Sequence, residues 1–412
     1  MDAIIERCCG IDVHKQSLTA CLLAGSLEGK PEITIKTFST MTNDLLQLKD
    51  WLEKAGCTHI AIESTGVYWK PVFNLLEESL EVVLVNARDV KNVPGRKTDV
   101  KDCQWLAQLL RCGLLKPSFI PEREIRELRD LTRYRRKLTQ DLTAEKNRVQ
   151  KVLEDANIKL SSVATDIFGV SGRIMMDALL NQETAPEQLA ELAKGRLRNK
   201  IPELVEALTG KLRAHHRFMI EQSLQHIAYL TESIARLDVQ IDKCMAPFRQ
   251  VEANLKTIPG VKKKTAEGIV AEIGVEMEQF PTAAHLASWA GMAPGNNESA
   301  GKRRSGHTTH GDKWLRTTLV EAAWAASKSK GTYFKAQYHR LAGKRGKKRA
   351  LVAVGHSILT IAYYMIKNNC AYKELGEDYF DQINHDAVLK RQVKRLEKLG
   401  YKVTLEPVPQ AA

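Results

Sequence analysis

Four acids and one serine are the residues of this chain whose types and placing suit phosphate chemistry. Asp12 lies in CGIDVHK, Glu63 in HIAIES, and Asp99 with Asp102 in KTDVKDCQWLAQLL. If the first two stretches are strands, Ile11 and Val13 share one face while Gly10 and Asp12 share the other; Ile60 and Ile62 likewise oppose Ala61 and Glu63. Each acid then has a small residue two positions before it, which leaves room beside it. On a helix, Asp99 and Asp102 share a face that continues through Leu106 and Leu109. That face should meet the sheet, so both aspartates are expected at the inward rim of the helix start rather than in open solvent. Taken singly, each acid has an ordinary explanation as a helix cap or a turn residue. Together they have a chemical purpose, because converging carboxylates repel one another unless cations neutralise them. Hard oxygen ligands in an incomplete cage suit Mg²⁺. Two such ions ~3.5–4 Å apart can activate a nucleophile and stabilise a leaving oxygen at a phosphodiester. Mg²⁺, as two ions, is the expected cofactor, with Mn²⁺ as its substitute.

The serine is Ser299, in NNESAGKRRSGHTTHGDKWLR. A serine hydroxyl is a poor nucleophile and needs a base or a metal to activate it. Attack at phosphorus also concentrates negative charge that placed cations must balance. Lys302, Arg303, Arg304 and Arg316 supply cations, while Gly301 and Gly306 let backbone approach a strand closely. His307 and His310 are near in sequence, but no His–Asp partner of a protease-like triad is evident. The plain alternative is a serine in a basic loop that only touches phosphates, and Ser305 is the rival nucleophile.

These residues need elements to hold them. Over residues 5–115, strand and helix patterns alternate: CCGIDVH, LTACLLA and EITIKTF as strands, then helix, HIAIES, helix, EVVLVN, and a helix from Asp99 to Arg111. That order predicts an α/β domain with a mixed sheet, residues 1–120. Beyond Pro121 the strand signal disappears. Residues 122–155 read as one long helix with Leu128, Leu131, Leu138, Leu142, Val149 and Val152 along a stripe. Its Arg126, Arg129, Arg133 and Arg136 are either a solvated face or contacts to a nucleic-acid backbone. Leu230, Ile234, Leu237, Ile241 and Cys244 have heptad spacing, which predicts a helical hairpin paired within the chain or between chains. This helical linker and coiled-coil region is 121–250. A third domain, 251–372, is helical around the serine loop. Its LKTIPGVKKKTAEGIVAEIG resembles a helix–hairpin–helix whose Lys262 and Lys263 would meet a phosphate. A further cationic cluster contains Lys344, Arg345 and Lys347. Residues 373–412 read as a charged tail, poorly ordered or dependent on a partner.

Composition sets the class of partner. The 412 residues hold 62 Lys+Arg against 49 Asp+Glu, a formal net charge of +13. A surplus of that size favours a polyanion, most simply nucleic acid. The eight cysteines are scattered without a C-x-x-C pair, which suggests neither a zinc site nor a disulfide framework and suits reduced thiols of a cytoplasmic protein. No signal-peptide pattern opens the chain, and no uninterrupted apolar run approaches the ~18 residues of a membrane span.

GIDVHK, AIESTGVYWKPV, VVLVNARDVKNVPGRKTDVKDCQWLAQLL and LASWAGMAPGNNESAGKRRSGHTTHGDKWLRTTLVEAAW resemble the DEDD transposases of a bacterial insertion-sequence family, over roughly residues 5–370. The resemblance implies a RuvC-like, RNase H-fold N-terminal domain whose acids match Asp12, Glu63, Asp99 and Asp102. It implies a C-terminal domain whose serine, at the position of Ser299, attacks DNA and forms a covalent phosphoserine. Glu298 and Ala300 depart from the family's usual Ser and Gly beside that serine. It further implies a recombinase guided to target and donor DNA by a noncoding bridge RNA, working as a tetramer of two dimers in the bacterial cytoplasm, without a membrane. The competing classes are a water-using junction nuclease and a non-catalytic nucleic-acid-binding regulator.

Overall fold

Period-two patterning in the first 90 residues becomes a five-stranded sheet. The computed structural model describes residues 2–64, 66–87, 90, 93, 101–181, 185–295, 297–305 and 307–406, with the backbone alone at 297, 299 and 303–305. Strands β1 (Arg7–Val13) and β2 (Ser17–Ala24) pair antiparallel, and β3 (Glu32–Ser39) adds antiparallel to β2. Helix α1 (Thr42–Lys54) leads to β4 (His59–Glu63), parallel to β1, and α2 (Trp69–Leu76) leads to β5 (Glu81–Val85), parallel to β4. The order is β3-β2-β1-β4-β5. Helix α3 (Asp102–Arg111) follows.

Both faces of the sheet are buried, each by different residues of the same strands. Cys9, Ile11, Val13, Ile60 and Ile62 pack with Leu45, Leu48 and Leu52 of α1 and with Val72 and Leu76 of α2. Cys8, Cys21, Leu23, Ala61 and Val85 pack instead with Cys103, Leu106, Leu109 and Leu110 of α3. Alternation along a strand makes this division. Burial pushes the Cys8 thiol up to about 11 and the Cys57 thiol up to about 12, so both stay protonated and inert.

The chain divides into two compact units, Met1–Ile120 and Pro121–Ala412. The second is mostly helical. Helix α4 (Arg123–Asp155) runs antiparallel to a later long helix, because Asp155 at its end meets His216 while Arg135 meets Asp238. Between them lie α5 (Leu160–Val163), α6 (Val170–Asn181), α7 (Pro186–Glu191) and α8 (Ile201–Leu208), before α9 (Ala214–Cys244). These short helices close a separate core with Val149, Val152, Leu153, Ile220 and Ile227. The heptad stripe of α9 is used within the chain: Leu230 and Ile241 are buried, and Ile234, Leu237 and Cys244 are half-buried.

Next come α10 (Arg249–Leu255), α11 (Lys263–Ile273) and α12 (Ala283–Trp289), then strands β6 (Asn297–Ser299) and β7 (Lys302–Ser305). Helices α13 (Lys313–Ala326), α14 (Tyr333–Arg345) and α15 (Lys347–Lys367) complete the packed part. Helix α15 is long and apolar enough to cross a membrane by length and composition alone, but Val354, Ile358, Leu359 and Ala362 along it are buried core residues. One expectation needs correcting: the serine segment is a β-hairpin rather than a loop among helices. The tail carries two helices, α16 (Tyr379–Ile383) and α17 (His385–Lys398).

Candidate functional site

Asp12 and Glu63 are brought together by strand pairing. In the parallel register Gly10 faces Ala61 and Ile11 faces Ile62, which places Asp12 and Glu63 at the next step on adjacent strands. Both acids are half-buried. They lie on the α3 side, because Ala61 packs against α3 and Gly10 touches its backbone. A Cβ at Gly10 would stand 2.1 Å from the Cys103 carbonyl oxygen and 2.4 Å from the Ala107 nitrogen. No other residue type lets the helix rest there. That contact fixes the start of α3, and with it Asp102, over the ends of the two strands. Cys103, the next residue, is within electrostatic reach of Asp12. Asp12 also lies 3.3 Å from His14 Nε2.

Asp102 is exposed at the first position of α3, not tucked inward as the helical pattern suggested. Its side chain needs no burial to serve the strand ends, since the Gly10 contact already places the helix. Asp99 lies outside the described residues. Asp12, Glu63 and Asp102 offer hard oxygen donors from one side of the sheet, a donor set that fits Mg²⁺ or Mn²⁺ and not a soft metal.

Among the described residues, the ligand atoms of one trio of metal-binding types lie within 4.8 Å of one another, and it is elsewhere: Asp155, His215 and His216. Its geometry is that of a strut. The Arg213 backbone N–H donates to His216 Nδ1 at 3.3 Å, so Nε2 keeps the proton and donates to Asp155 at 2.8 Å. A metal would need that proton removed.

Ser299 ends β6, and Lys302 begins β7 directly opposite. The two residues between them, Ala300 (φ 51°) and Gly301 (φ 72°), are both left-handed, the conformation a tight hairpin demands. For Ala300 this costs ~1–2 kcal/mol. At the base, Gly295 N–H donates to the His307 carbonyl at 2.9 Å and Thr309 N–H to Ala293 at 3.2 Å. Gly311 then presses on Gly291, where a Cβ would come within 2.1 Å of backbone nitrogen. Ser305 stands at the far end of β7, opposite Asn297 and away from the turn. Lys302 is exposed, Arg303 and Arg304 lie in β7, Gly306 falls outside the described residues, and Arg316 is half-buried on α13.

Asp312 links this hairpin to the frame of its unit. Its carboxylate caps α13 by accepting from Leu315 N–H at 2.7 Å, and it accepts from Arg133 at 2.9 Å. Arg133 also holds buried Glu272 through two hydrogen bonds, 2.8 and 2.6 Å. Burial pushes the Glu272 carboxyl up, the Arg133 hydrogen bonds draw it back, and the Asp312 charge pushes it up again. Arg133 therefore holds two mutually repelling acids together. Arg129 donates to the Ala271 and Glu272 carbonyls at the end of α11, at 3.0 and 2.6 Å. Arg136 donates to Thr318 at 2.9 Å and pairs with Glu321, and Arg126 donates to the Pro121 carbonyl at 3.1 Å. Neither a solvated row nor a bare backbone-binding row describes these arginines, because each has partners inside the unit. Nothing in the local sequence signals this, since Glu272 and Asp312 lie far along the chain.

The cations elsewhere differ. Lys262 and Lys263 are exposed at the start of α11, with Lys263 paired to Asp242 at 2.5 Å. Among the described residues, Lys344, Arg345 and Lys347 are exposed and form no ion pair.

Two family models match this chain. One, a transposase model of the DEDD IS110 type, matches residues 9–158; the other, described as the transposase IS116/IS110/IS902 family, matches residues 252–339. Together they cover more than half of the chain, and they contain the acids and the serine hairpin respectively. The chain belongs to the IS110 family of transposases. It is therefore a DNA-recombining enzyme, and its DEDD class implies dependence on a divalent metal. Pilin gene-inverting proteins of Moraxella bovis and Moraxella lacunata are each 26% identical over 376 residues, 87% of this chain and 95% of theirs. An uncharacterized 43.6 kDa protein of the insertion element IS110 in Streptomyces coelicolor is 24% identical over 311 residues, 68% of this chain and 73% of its own.

Proposed function

We propose that this transposase cuts and rejoins DNA through a covalent bond to Ser299. The observation that carries the reading is the placing of Asp12 and Glu63 side by side at the strand ends, beneath the start of α3. The strand order, an antiparallel β3-β2-β1 half continued by β4 and β5 parallel to β1, supports the RNase H-like reading of this unit. Asp12, Glu63, Asp99 and Asp102 would hold Mg²⁺, whose charge makes the scissile phosphate easier to attack. The Ser299 oxygen bonds to phosphorus as the bond to the 3′ oxygen breaks. The leaving oxygen takes the proton, giving a free 3′-hydroxyl and a 5′-phosphoserine. A 3′-hydroxyl of another strand reverses the step and restores the serine, so the bond energy is kept and no ATP is needed.

The turn at Pro259–Gly260 between α10 and α11 supports a helix–hairpin–helix that meets DNA phosphates through Lys262 and Lys263. Lys302, Arg303, Arg304, Arg316, Lys344, Arg345 and Lys347 are proposed to contact nucleic acid. The pilin-inverting relatives favour rejoining over plain hydrolysis, because an inverted segment must be sealed at both ends. Guidance by a bridge RNA and a tetramer of two dimers rest on the family resemblance.

The test uses nicked duplex DNA, Mg²⁺ and a denaturing gel. A protein–DNA adduct should form, persist in Ser305→Ala, and vanish in Ser299→Ala and in Asp12→Asn. Cleavage by Ser299→Ala at the wild-type rate would instead establish the water-using nuclease. Sequencing RNA that copurifies with the protein checks guidance, and its absence would overturn that part.

A further inference from the structure

The helical unit holds a cleft of about 410 Å³ between α4, α11 and α13, within the size range of small-ligand sites. One wall is a polar face of α4. Thr139 and Thr143 lie there one turn apart, and each hydroxyl donates to a carbonyl of its own helix at 2.9 Å, which leaves its oxygen to accept. Gln140 beside them and Lys264 on α11 supply N–H donors. Trp314 of α13 is half-buried and forms an aromatic wall, with the Arg133 guanidinium 5.5 Å from its ring. The floor is open at Gly268, in the interior of α11, where glycine weakens a helix. A Cβ there would meet Thr318 at 3.4 Å. The charges on these walls are already matched. Arg133, Arg135, Arg136 and Lys264 are met by Glu272, Asp312, Asp238, Glu267 and Glu321. No surplus positive charge remains for a phosphate, and every one of these acids is engaged by a cation. What the cleft suits is a flat, uncharged group with donors and acceptors along its edge.

We propose that this cleft receives one unpaired nucleobase of the recombining DNA. A strand passed between duplexes must leave its old partner before it pairs with the new one, so the reaction itself exposes unpaired bases. The volume admits a base and not a duplex, and the base enters by leaving its stack. Inside, it stacks on the Trp314 indole or the Arg133 guanidinium and presents its edge to Thr139, Gln140, Thr143 and Lys264. Its phosphates stay outside, toward the exposed Lys262 and Lys263 that precede Lys264. The site rests on the chain being a DNA-recombining enzyme and stands whether or not Ser299 is the nucleophile.

The experiment measures full-length protein binding to two 30-base-pair duplexes, one fully paired and one with a short gap that carries 2-aminopurine. Anisotropy reads affinity, and 2-aminopurine fluorescence reads the environment of the unpaired base. The wild type should prefer the gapped duplex by roughly 5- to 150-fold and should quench the reporter base. Gly268→Leu fills the cleft while raising helix propensity. It should lose both the preference and the quenching, with its melting temperature and its affinity for the paired duplex no lower. Gly268→Ala, whose methyl only reaches contact with Thr318, should keep most of both. Thr139→Val with Gln140→Leu, at two exposed positions, removes edge contacts and should cut the preference several-fold; this pair decides the outcome if Gly268→Leu lowers the melting temperature. Equal wild-type affinity for the two duplexes overturns the proposal. So does a preference that survives in folded Gly268→Leu. Quenching of the free 2-aminopurine deoxyriboside, with none in the gapped strand, assigns the cleft to a soluble nucleoside and overturns the DNA reading.

Discussion

The arginines of α4 and the cations at the α14–α15 junction have the same formal charge and opposite surroundings. Arg133 and Arg135 each bridge two carboxylates, and Arg129 and Arg136 also pair with acids, Glu272 and Glu321. Glu267 and Glu272, the acids that receive Arg135 and Arg133, are almost fully buried. Lys344, Arg345 and Lys347 meet no acid among the described residues. A basic sequence run does not by itself mark a nucleic-acid footprint. What separates frame from footprint is whether a distant helix brings an acid to the cation, and only the fold decides that.

The largest effect should come from the frame. Arg135 pairs with Glu267 at 2.6 Å and Asp238 at 2.8 Å. Arg135→Gln leaves a buried carboxylate unpaired and should cost ~3–5 kcal/mol in urea unfolding. Adding Glu267→Gln should recover most of that loss. A single variant as stable as wild type would break the comparison at its stronger end.

A smaller effect on folding and a larger one on binding belong to the junction. Lys344→Gln, Arg345→Gln and Lys347→Gln together should change stability by less than ~0.5 kcal/mol. On a DNA duplex they should flatten the salt slope by roughly 2.7. A drop in melting temperature with an unaltered slope would move these cations into the frame.

Asp242 is the intermediate case and the smallest effect. It is held by Lys263 and Arg249, whose hydrogen bonds draw its carboxyl from 3.8 down to about 2. Its folded value is depressed, so its stabilising contribution is complete above about pH 4 and is lost as pH falls through about 2. The wild type should exceed Asp242→Asn in urea midpoint at pH 5, and the gap should close toward pH 2. A gap that widens on acidification would contradict the pairing.

The sequence made some of this legible and hid the rest for definite reasons. Strict alternation in CCGIDVH and HIAIES exposed the strands, and the small residues Gly10 and Ala61 were legible as room beside the acids, though not as the seat of α3. The β6–β7 hairpin was hidden because Ala300 occupies a left-handed position where Asn or Gly would normally announce the turn. The partners of Arg129 and Arg133 were hidden because they lie about 140 and 180 residues away. In α17 the periodic apolar residues were visible, but without a core to receive them they read as tail. Asp102 was placed on the right helix and wrongly turned inward.

The antiparallel pairing of α4 with α9 has a mechanical consequence. At 1.5 Å per residue, the 33 residues of α4 extend ~50 Å. The pair is tied at the far end by Asp155 with His216 and stiffened there by its own small core. It is a beam with a bolted tip. A grip on residues 156–213 by any neighbour would act at the end of a long moment arm, so modest force at the tip becomes substantial torque at α11 and α13, where Arg133 and Arg135 are fastened.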